Sequence, residues 1–278
     1  MYDMRASRTW SYNPANAGSN DIAQSPWSGG GGNPMLRPWE ALSFDLSFEK
    51  YFAEKRGYFA VAGFIKDLQN YIYEQRTVAD FTGYPVSSGP EPVLRQGIVS
   101  QPVNGDGGHL NGVEITLSVS SELFSHGNIK GFGLIMSGAY TDSSIQPWGP
   151  GNGDAPISGL SDKVANFTAY YERHGFSIRV SDRYRSENRQ YITTFGVPSP
   201  GGDVNPNGGF SVAQPENVID AQISYTFQRG ALKGLTILAQ VYNLNDEPLI
   251  TYNNNDPRQV INYQTYGASY SFGASYKF

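Results

Sequence analysis

The stretch Tyr266-Gly267-Ala268-Ser269-Tyr270-Ser271-Phe272-Gly273-Ala274-Ser275-Tyr276-Lys277-Phe278 alternates without a break between bulky or apolar residues and small or polar ones. Side chains on a β-strand point to opposite faces in turn, so this pattern describes a strand with one greasy face and one polar face. The pattern recurs along the chain. Ile219, Ala221, Ile223, Tyr225 and Phe227 alternate with Asp220, Gln222, Ser224 and Thr226. Val113, Ile115, Leu117 and Val119 alternate with Gly112, Glu114, Thr116, Ser118 and Ser120, and Leu42, Phe44, Leu46 and Phe48 with Ser43, Asp45, Ser47 and Glu49. Phe176, Ile178 and Val180 face away from Ser177, Arg179 and Ser181.

Segments of this kind fall near 2–9, 39–52, 57–73, 109–121, 129–141, 163–173, 175–187, 217–228, 234–245 and 264–278, about ten strands in all. The connections alternate in length. Short ones lie at 53–56, 123–128, 174 and 229–233, and long ones at 10–37, 76–108, 142–162, 188–216 and 246–263. A transmembrane barrel has this parity, because its periplasmic turns are short and its outer loops long. The expected fold is therefore all-β: a transmembrane antiparallel barrel, present in part, whose last strand runs inward. A soluble sandwich also alternates, but rarely uses strands this long and this rich in Tyr.

Composition agrees. Only 16% of the 278 residues are charged, while 19 Tyr, 15 Phe and 32 Gly suit strands joined by turns. The longest run of apolar residues and Gly, 57–65, is far below the ~18 residues of a membrane helix. A mean hydropathy of −0.42 says little for a barrel, which shows lipid only every second residue. A net charge of −5 argues against nucleic-acid binding, and the absence of Cys excludes disulfides and thiolate chemistry. The first residues, Met1-Tyr2-Asp3-Met4-Arg5-Ala6-Ser7, lack the basic start and apolar core of a secretory signal.

Several blocks resemble TonB-dependent receptors. Asn33-Pro34-Met35-Leu36-Arg37-Pro38 is similar to the family's strand-entry block, Phe64-Ile65-Lys66-Asp67-Leu68-Gln69-Asn70-Tyr71-Ile72 to its long strand, and 102–114 to its Gly-rich entry ending in Glu114. The segment 166–185 resembles its Tyr/Arg hairpin, and Asn243-Leu244-Asn245-Asp246-Glu247-Pro248 its penultimate block. The likeness is greatest to the large receptors of xanthomonads and caulobacters. It implies an outer-membrane barrel of about 22 strands, filled by a plug domain, that imports a scarce carbohydrate or siderophore-type nutrient with energy from TonB. On that reading residues 1–278 form one C-terminal barrel segment without the plug, inserted in outer-membrane lipid and not active alone. No cofactor is implied.

The closing aromatics Tyr270, Phe272, Tyr276 and Phe278 resemble the signal read by the barrel assembly machinery, although an aromatic belt facing lipid needs the same residues. Arg179, Arg183 and Arg185 share a parity with Ser177 and Ser181 and are expected in the lumen, because Arg at the lipid midplane costs about 2–4 kcal/mol. There they could meet plug carboxylates or an anionic solute, or simply be balanced by Asp45, Glu49 and Glu114. Trp148, Tyr191 and Tyr252, with Asn253-Asn254-Asn255-Asp256, offer outer-loop chemistry for stacking on sugar rings and bonding hydroxyls. The expected extracellular ligand contacts are thus Trp148, Arg183, Arg185, Tyr191, Tyr252 and Asn253.

Asn104-Gly105-Asp106-Gly107 and Asn152-Gly153-Asp154 superficially resemble calcium loops but lack the closing Glu, so both read as turns and no metal site is expected. Two alternatives remain: a self-closing small pore or structural barrel, and a barrel hydrolase. Of His109, His126 and His174, only His109, near Asp106, is placed at the outer rim for hydrolysis. A lone His at a loop junction is ordinarily a polar loop residue, and the chain is not expected to be an enzyme.

Overall fold

The computed structural model describes residues 4–52, 57–86, 88–123, 130–146, 153–192 and 210–277, with the side chains of 191 and 192 left out. In chain order the strands are β1 (Arg8–Tyr12), β2 (Trp27–Gly31), β3 (Ala41–Phe52), β4 (Gly57–Leu68), β5 (Tyr71–Asp80), β6 (Gln96–Gly105), β7 (Gly108–Ser120), β8 (Phe132–Ile145), β9 (Lys163–Arg173), β10 (Phe176–Arg185), β11 (Asn188–Ile192), β12 (Phe210–Ala213), β13 (Glu216–Thr226), β14 (Leu235–Tyr242), β15 (Leu249–Asn253), β16 (Val260–Gln264) and β17 (Ser269–Tyr276). Nine of them form one antiparallel wall in the order β17-β14-β13-β10-β9-β8-β7-β4-β3. The other eight form two four-stranded sheets, β1-β2-β6-β5 and β11-β12-β15-β16. Both smaller sheets are built from the long connections, at what is here the outer end of the wall.

Register carries the alternation across the wall. Phe48 lies opposite Val61, which lies opposite Ile115; Leu134 is aligned through Ala169, Val180, Ala221 and Val241 with Tyr270. One face is therefore apolar across the middle of the wall, and its side chains are exposed, from Leu42, Phe44 and Leu46 on β3 to Phe272 at 82% on β17. Charged residues of this parity sit near strand ends: Asp67, His109, Asp142, Lys163 and Asp182 toward the outer ends, Lys50 and Arg173 toward the inner. That placement suits polar headgroups at the two surfaces of a bilayer.

The inner turns are short for local reasons. Between β9 and β10, Arg173 pairs with Phe176 across His174 (φ 53°) and Gly175 (φ 85°), the double left-handed geometry of a two-residue hairpin. A Cβ on Gly175 would also lie 2.3 Å from the Thr226 carbonyl oxygen of the next strand.

Two expectations need correction. The strand expected at 2–9 does not extend the wall: residues 4–7 are not strand, and β1 pairs instead with the Gly-rich β2, Arg8 opposite Gly31 through Tyr12 opposite Trp27. The wall therefore has nine described strands rather than ten. The long connections, expected as loops, carry strand structure, and the strand expected at 57–73 breaks at Gln69 and continues as β5 in a separate sheet. Eight successive antiparallel pairings leave β3 and β17, the wall's two edges, running in the same direction.

Candidate functional site

The outer rim of β10, β13 and β14 carries two of the expected ligand residues, Arg183 and Arg185. Arg183 and Arg185 lie on the polar face of β10, and each meets a carboxylate of β13. Arg183 Nη2 is 3.1 Å from Asp220 Oδ2, and Arg185 places Nε and Nη2 at 2.7 and 2.6 Å from Glu216 Oε2. Lower on the strand, Arg179 reaches Glu172 at 3.5 Å and covers the Tyr170 ring, 5.5 Å from its centroid. The counter-charges are thus Glu172, Asp220 and Glu216, not Asp45, Glu49 and Glu114. Cross-strand neighbours win because β9 and β13 flank β10 directly, whereas β3 and β7 lie three or more strands away. Asp45 and Glu114 instead line a separate recess of about 330 Å³ with Ser47, Phe64 and Lys66.

Asp220 does a second task. Its Oδ1 accepts the Asn243 N–H at 3.0 Å, at the start of the block Asn243-Leu244-Asn245-Asp246-Glu247-Pro248. Asn243 and Asp246 both have positive φ, a conformation Asn and Asp tolerate better than bulkier residues. The Glu247 N–H donates to Asn243 Oδ1 at 2.8 Å, and the Asn243 amide returns a bond to the Glu247 carbonyl at 3.1 Å. Asn245 bridges Asn217 and Ile219 of β13, while Asp246 accepts the Gly267 N–H just before β17. The block is a staple joining three wall strands at their outer ends, so its polar residues are occupied structurally.

Above this rim stands the sheet β11-β12-β15-β16. Tyr252 pairs with Val212 of β12, and Asn253 with Ser211; the Asn253 side-chain amide donates to Gln259 Oε1 at 2.7 Å. Tyr191 is on β11. Arg189 lies over the Phe210 ring at 3.8 Å, and burial pushes its guanidinium below its usual pKa. Buried Asn188 donates to Ser161 Oγ at 3.1 Å and accepts from Gln190 at 2.8 Å. Arg183, Arg185, Tyr191, Tyr252 and Asn253 therefore belong to one corner of the molecule, the last three on the sheet that rises from the rim carrying the first two. Trp148 and Phe278 lie outside the described residues. Tyr270, Phe272 and Tyr276 sit on the lipid-facing parity of β17.

The sheet β1-β2-β6-β5 carries a cluster that the expected site residues do not include. Trp27, 1% exposed, stacks on Phe81 (5.3 Å between centroids, 6° between planes) and touches Tyr12 at 4.8 Å and Trp10 at 5.8 Å. Tyr84 stands edge-on to Trp10 at 5.4 Å and 88°. Only Gly fits at position 97 of β6, where a Cβ would lie 2.2 Å from the Trp27 carbonyl oxygen. Trp10-Ser11-Tyr12 alternating before Trp27 was the available sequence signal, but it lay in a stretch read as loop.

Asn33-Pro34-Met35-Leu36-Arg37-Pro38 straps this sheet to the wall. Asn33 accepts the Met35 N–H and donates to the Pro102 carbonyl; Asn104 Oδ1 accepts the Arg37 N–H at 2.8 Å; Asn70 donates to the Pro38 carbonyl at 3.1 Å. Asn104 is thus a strand residue of β6 rather than the head of a turn. His109 meets Asp142 at 3.0 Å, not Asp106, and it shares the parity of Val113 and Ile115, so the pair faces away from the lumen side.

The family model for the TonB dependent receptor-like β-barrel matches residues 3–244. Among solved structures, the siderophore receptor PirA from Acinetobacter baumannii superposes with a TM-score of 0.64 at 14% identity, covering 100% of this chain and 37% of that one. A mutant of the ferric enterobactin receptor PfeA from Pseudomonas aeruginosa gives 0.60 at 15%, covering 98% and 35%. FpvA from P. aeruginosa, bound to a pyoverdine and iron, gives 0.55 at 12%, covering 98% and 30%. The chain thus spans about a third of the length of these solved receptors, and at such identities the likeness concerns the fold. No curated protein matches the chain significantly.

Proposed function

Because this chain belongs to the TonB-dependent receptor β-barrel family, we propose that it is the closing segment of an outer-membrane receptor that takes up a scarce carbohydrate or siderophore-type nutrient and does not act alone. The family comprises receptors and transporters rather than enzymes, and its barrels are proteins of the Gram-negative outer membrane. The observation that carries the closing-segment reading is the direction of the two edges. Closing the wall on itself would pair β3 with β17 in parallel, against the eight antiparallel pairings between them, and the same holds for a ring of copies in one membrane orientation. Strands supplied from elsewhere in the receptor satisfy both edges; without them backbone donors and acceptors would face lipid unpaired. The self-closing pore is disfavoured on the same ground.

In this reading Arg183, Arg185, Tyr191, Tyr252 and Asn253, with Trp148, contact the extracellular ligand, and a plug domain occupies the polar side of the wall. TonB supplies the energy, and Tyr270, Phe272, Tyr276 and Phe278 present the closing strand to the barrel assembly machinery. An antibody to residues 249–264 should detect, in outer membranes, a species about three times the 30.5 kDa of this chain. Nutrient uptake should require both that species and TonB. A folded, heat-modifiable 30.5 kDa protein that conducts ions alone would overturn the closing-segment reading.

A further inference from the structure

The Trp27 cluster is more than a core for its sheet. Its two outermost rings, Trp10 and Tyr84, are each 42% exposed, although Trp27 and Phe81 beneath them are almost wholly buried. The two rings meet at 88°, forming a right-angled corner that this chain leaves uncovered. Each is held from below. Trp10 rests on Trp27, and Tyr84 rests on Phe81 at 5.3 Å. The Tyr84 turn is pinned by its own N–H to the Phe81 carbonyl at 3.0 Å and by Arg95, which donates to the Tyr84 carbonyl at 3.3 Å. The neighbouring segment is tied down by Tyr12, whose hydroxyl donates to the Pro90 carbonyl. Rings immobilised before a ligand arrives lose little entropy on binding it.

Beside the corner, Arg95 is ion-paired with Glu91 and Arg76 lies 4.0 Å from Glu74, while Arg8 on the Trp10 face and Asp80 before the Tyr84 turn add one charge of each sign, so no excess of positive charge gathers there. An anionic ferric complex favours unpaired cations, whereas a polyol uses donors and acceptors together, as a paired Arg and Glu provide. We propose that the Trp10–Tyr84 corner, bordered by Arg95 and Glu91, is a stacking subsite for a pyranose ring of a neutral oligosaccharide. The apolar face of the sugar lies on Trp10, its edge abuts Tyr84, and its hydroxyls reach Arg95 and Glu91. This assignment rests on the receptor reading above and narrows it to carbohydrate.

The test uses the full receptor purified from outer membranes, probed on an array of neutral plant, fungal and bacterial oligosaccharides with ferric enterobactin as the anionic comparator. At least one neutral glycan should bind. Trp10→Ala and Tyr84→Ala should each weaken it roughly tenfold or more, Trp10→Phe should retain most binding, and Val93→Ala, also exposed, should leave it unchanged. Hydrogen exchange across Gln96–Gly105 separates lost contact from lost folding, and Tyr84→Phe keeps the ring in either case. Binding of ferric enterobactin alone, or glycan binding indifferent to Trp10→Ala in a folded protein, would overturn the subsite. TonB-independent uptake of the bound glycan would instead overturn the receptor reading and leave the subsite standing.

Discussion

The nine-stranded wall and the two outer sheets solve the same problem in opposite ways. On the wall the large apolar side chains are exposed: Leu42, Phe44, Leu46, Ile65, Val113, Ile115 and Phe272 point outward, and neighbouring strands hold one another by ladder hydrogen bonds and by cross-strand side-chain pairs such as Arg183–Asp220 and Tyr51–Tyr58. The outer sheets bury a core of their own: Trp27, Val212 and Ala213 on their strands lie inside with Ala17, Leu36, Phe81 and Ala155 of the flanking segments, and Ile145 joins them at the projecting tip of β8, while Trp10, Val78, Val260, Ile261 and Tyr263 stay exposed. The wall uses lipid as the missing half of its core, so it needs only alternation. The outer sheets stand in water and must build their own cores, so they need specific partners for each bulky ring. One chain thus follows two rules of burial, and the boundary between them falls where β4 breaks at Gln69 before β5.

Substitutions that obey one rule and violate the other sharpen this contrast. The largest effect is expected for Trp27→Ala, which should cost the first outer sheet about 3–5 kcal/mol. Hydrogen exchange should then rise across β1, β2 and β6 while β8–β9–β10 remains protected. Matched loss of protection in the wall would show that the two regions fold as one. Next comes a pair of adjacent positions on β10. Val180→Arg, on the lipid parity, should destabilise the barrel in bilayers by about 2–4 kcal/mol in urea titrations of the full receptor, and Ser181→Arg, one residue away on the lumen side, by far less. Equal effects would mean that the faces are assigned wrongly.

A smaller change is expected for Asn243→Ala, which removes two side-chain bonds of the staple, each worth about 1 kcal/mol. It should loosen the outer ends of β13 and β14 and leave their inner ends intact, as amide exchange can verify. The smallest effect concerns the 253–259 turn. Hydrogen bonds from the Arg258 side chain, then its backbone N–H, hold the Asp256 carboxyl below its ordinary 3.8. A lowered folded-state pKa means that the stabilisation is present above 3.8 and is lost as pH falls through the lowered value. Acid should therefore free the turn before the wall responds; nuclear magnetic resonance of the Arg258 N–H would register it, and a pH-independent signal between neutrality and that range's lower end would count against it.

Much of the wall was legible because its determinants are local. Alternation at 113–119 or 219–227 states which residues share a face, and His174-Gly175 states where the chain reverses, without reference to any other strand. The site was less legible. Parity put Arg179, Arg183 and Arg185 on the polar side, yet their partners Glu172, Asp220 and Glu216 follow from strand adjacency and register. His109 met Asp142, 33 residues away, rather than nearby Asp106, for the same reason. Trp10 and Tyr84 are not legible as site residues, because the stretches that carry them have no sustained period.

The amino-acid sequence by itself determined the family, the all-β class and the two faces of each wall strand. These rest on period, turn chemistry and short motifs, which act over a few residues. Only the tertiary structure decided that the long connections fold into sheets, that β2 lies parallel to β6 with Trp27 between aromatic neighbours, and that Asp220 ties Arg183 to the Asn243 staple. Those choices depend on contacts between segments tens of residues apart, where several partners of equal local merit compete and packing selects one.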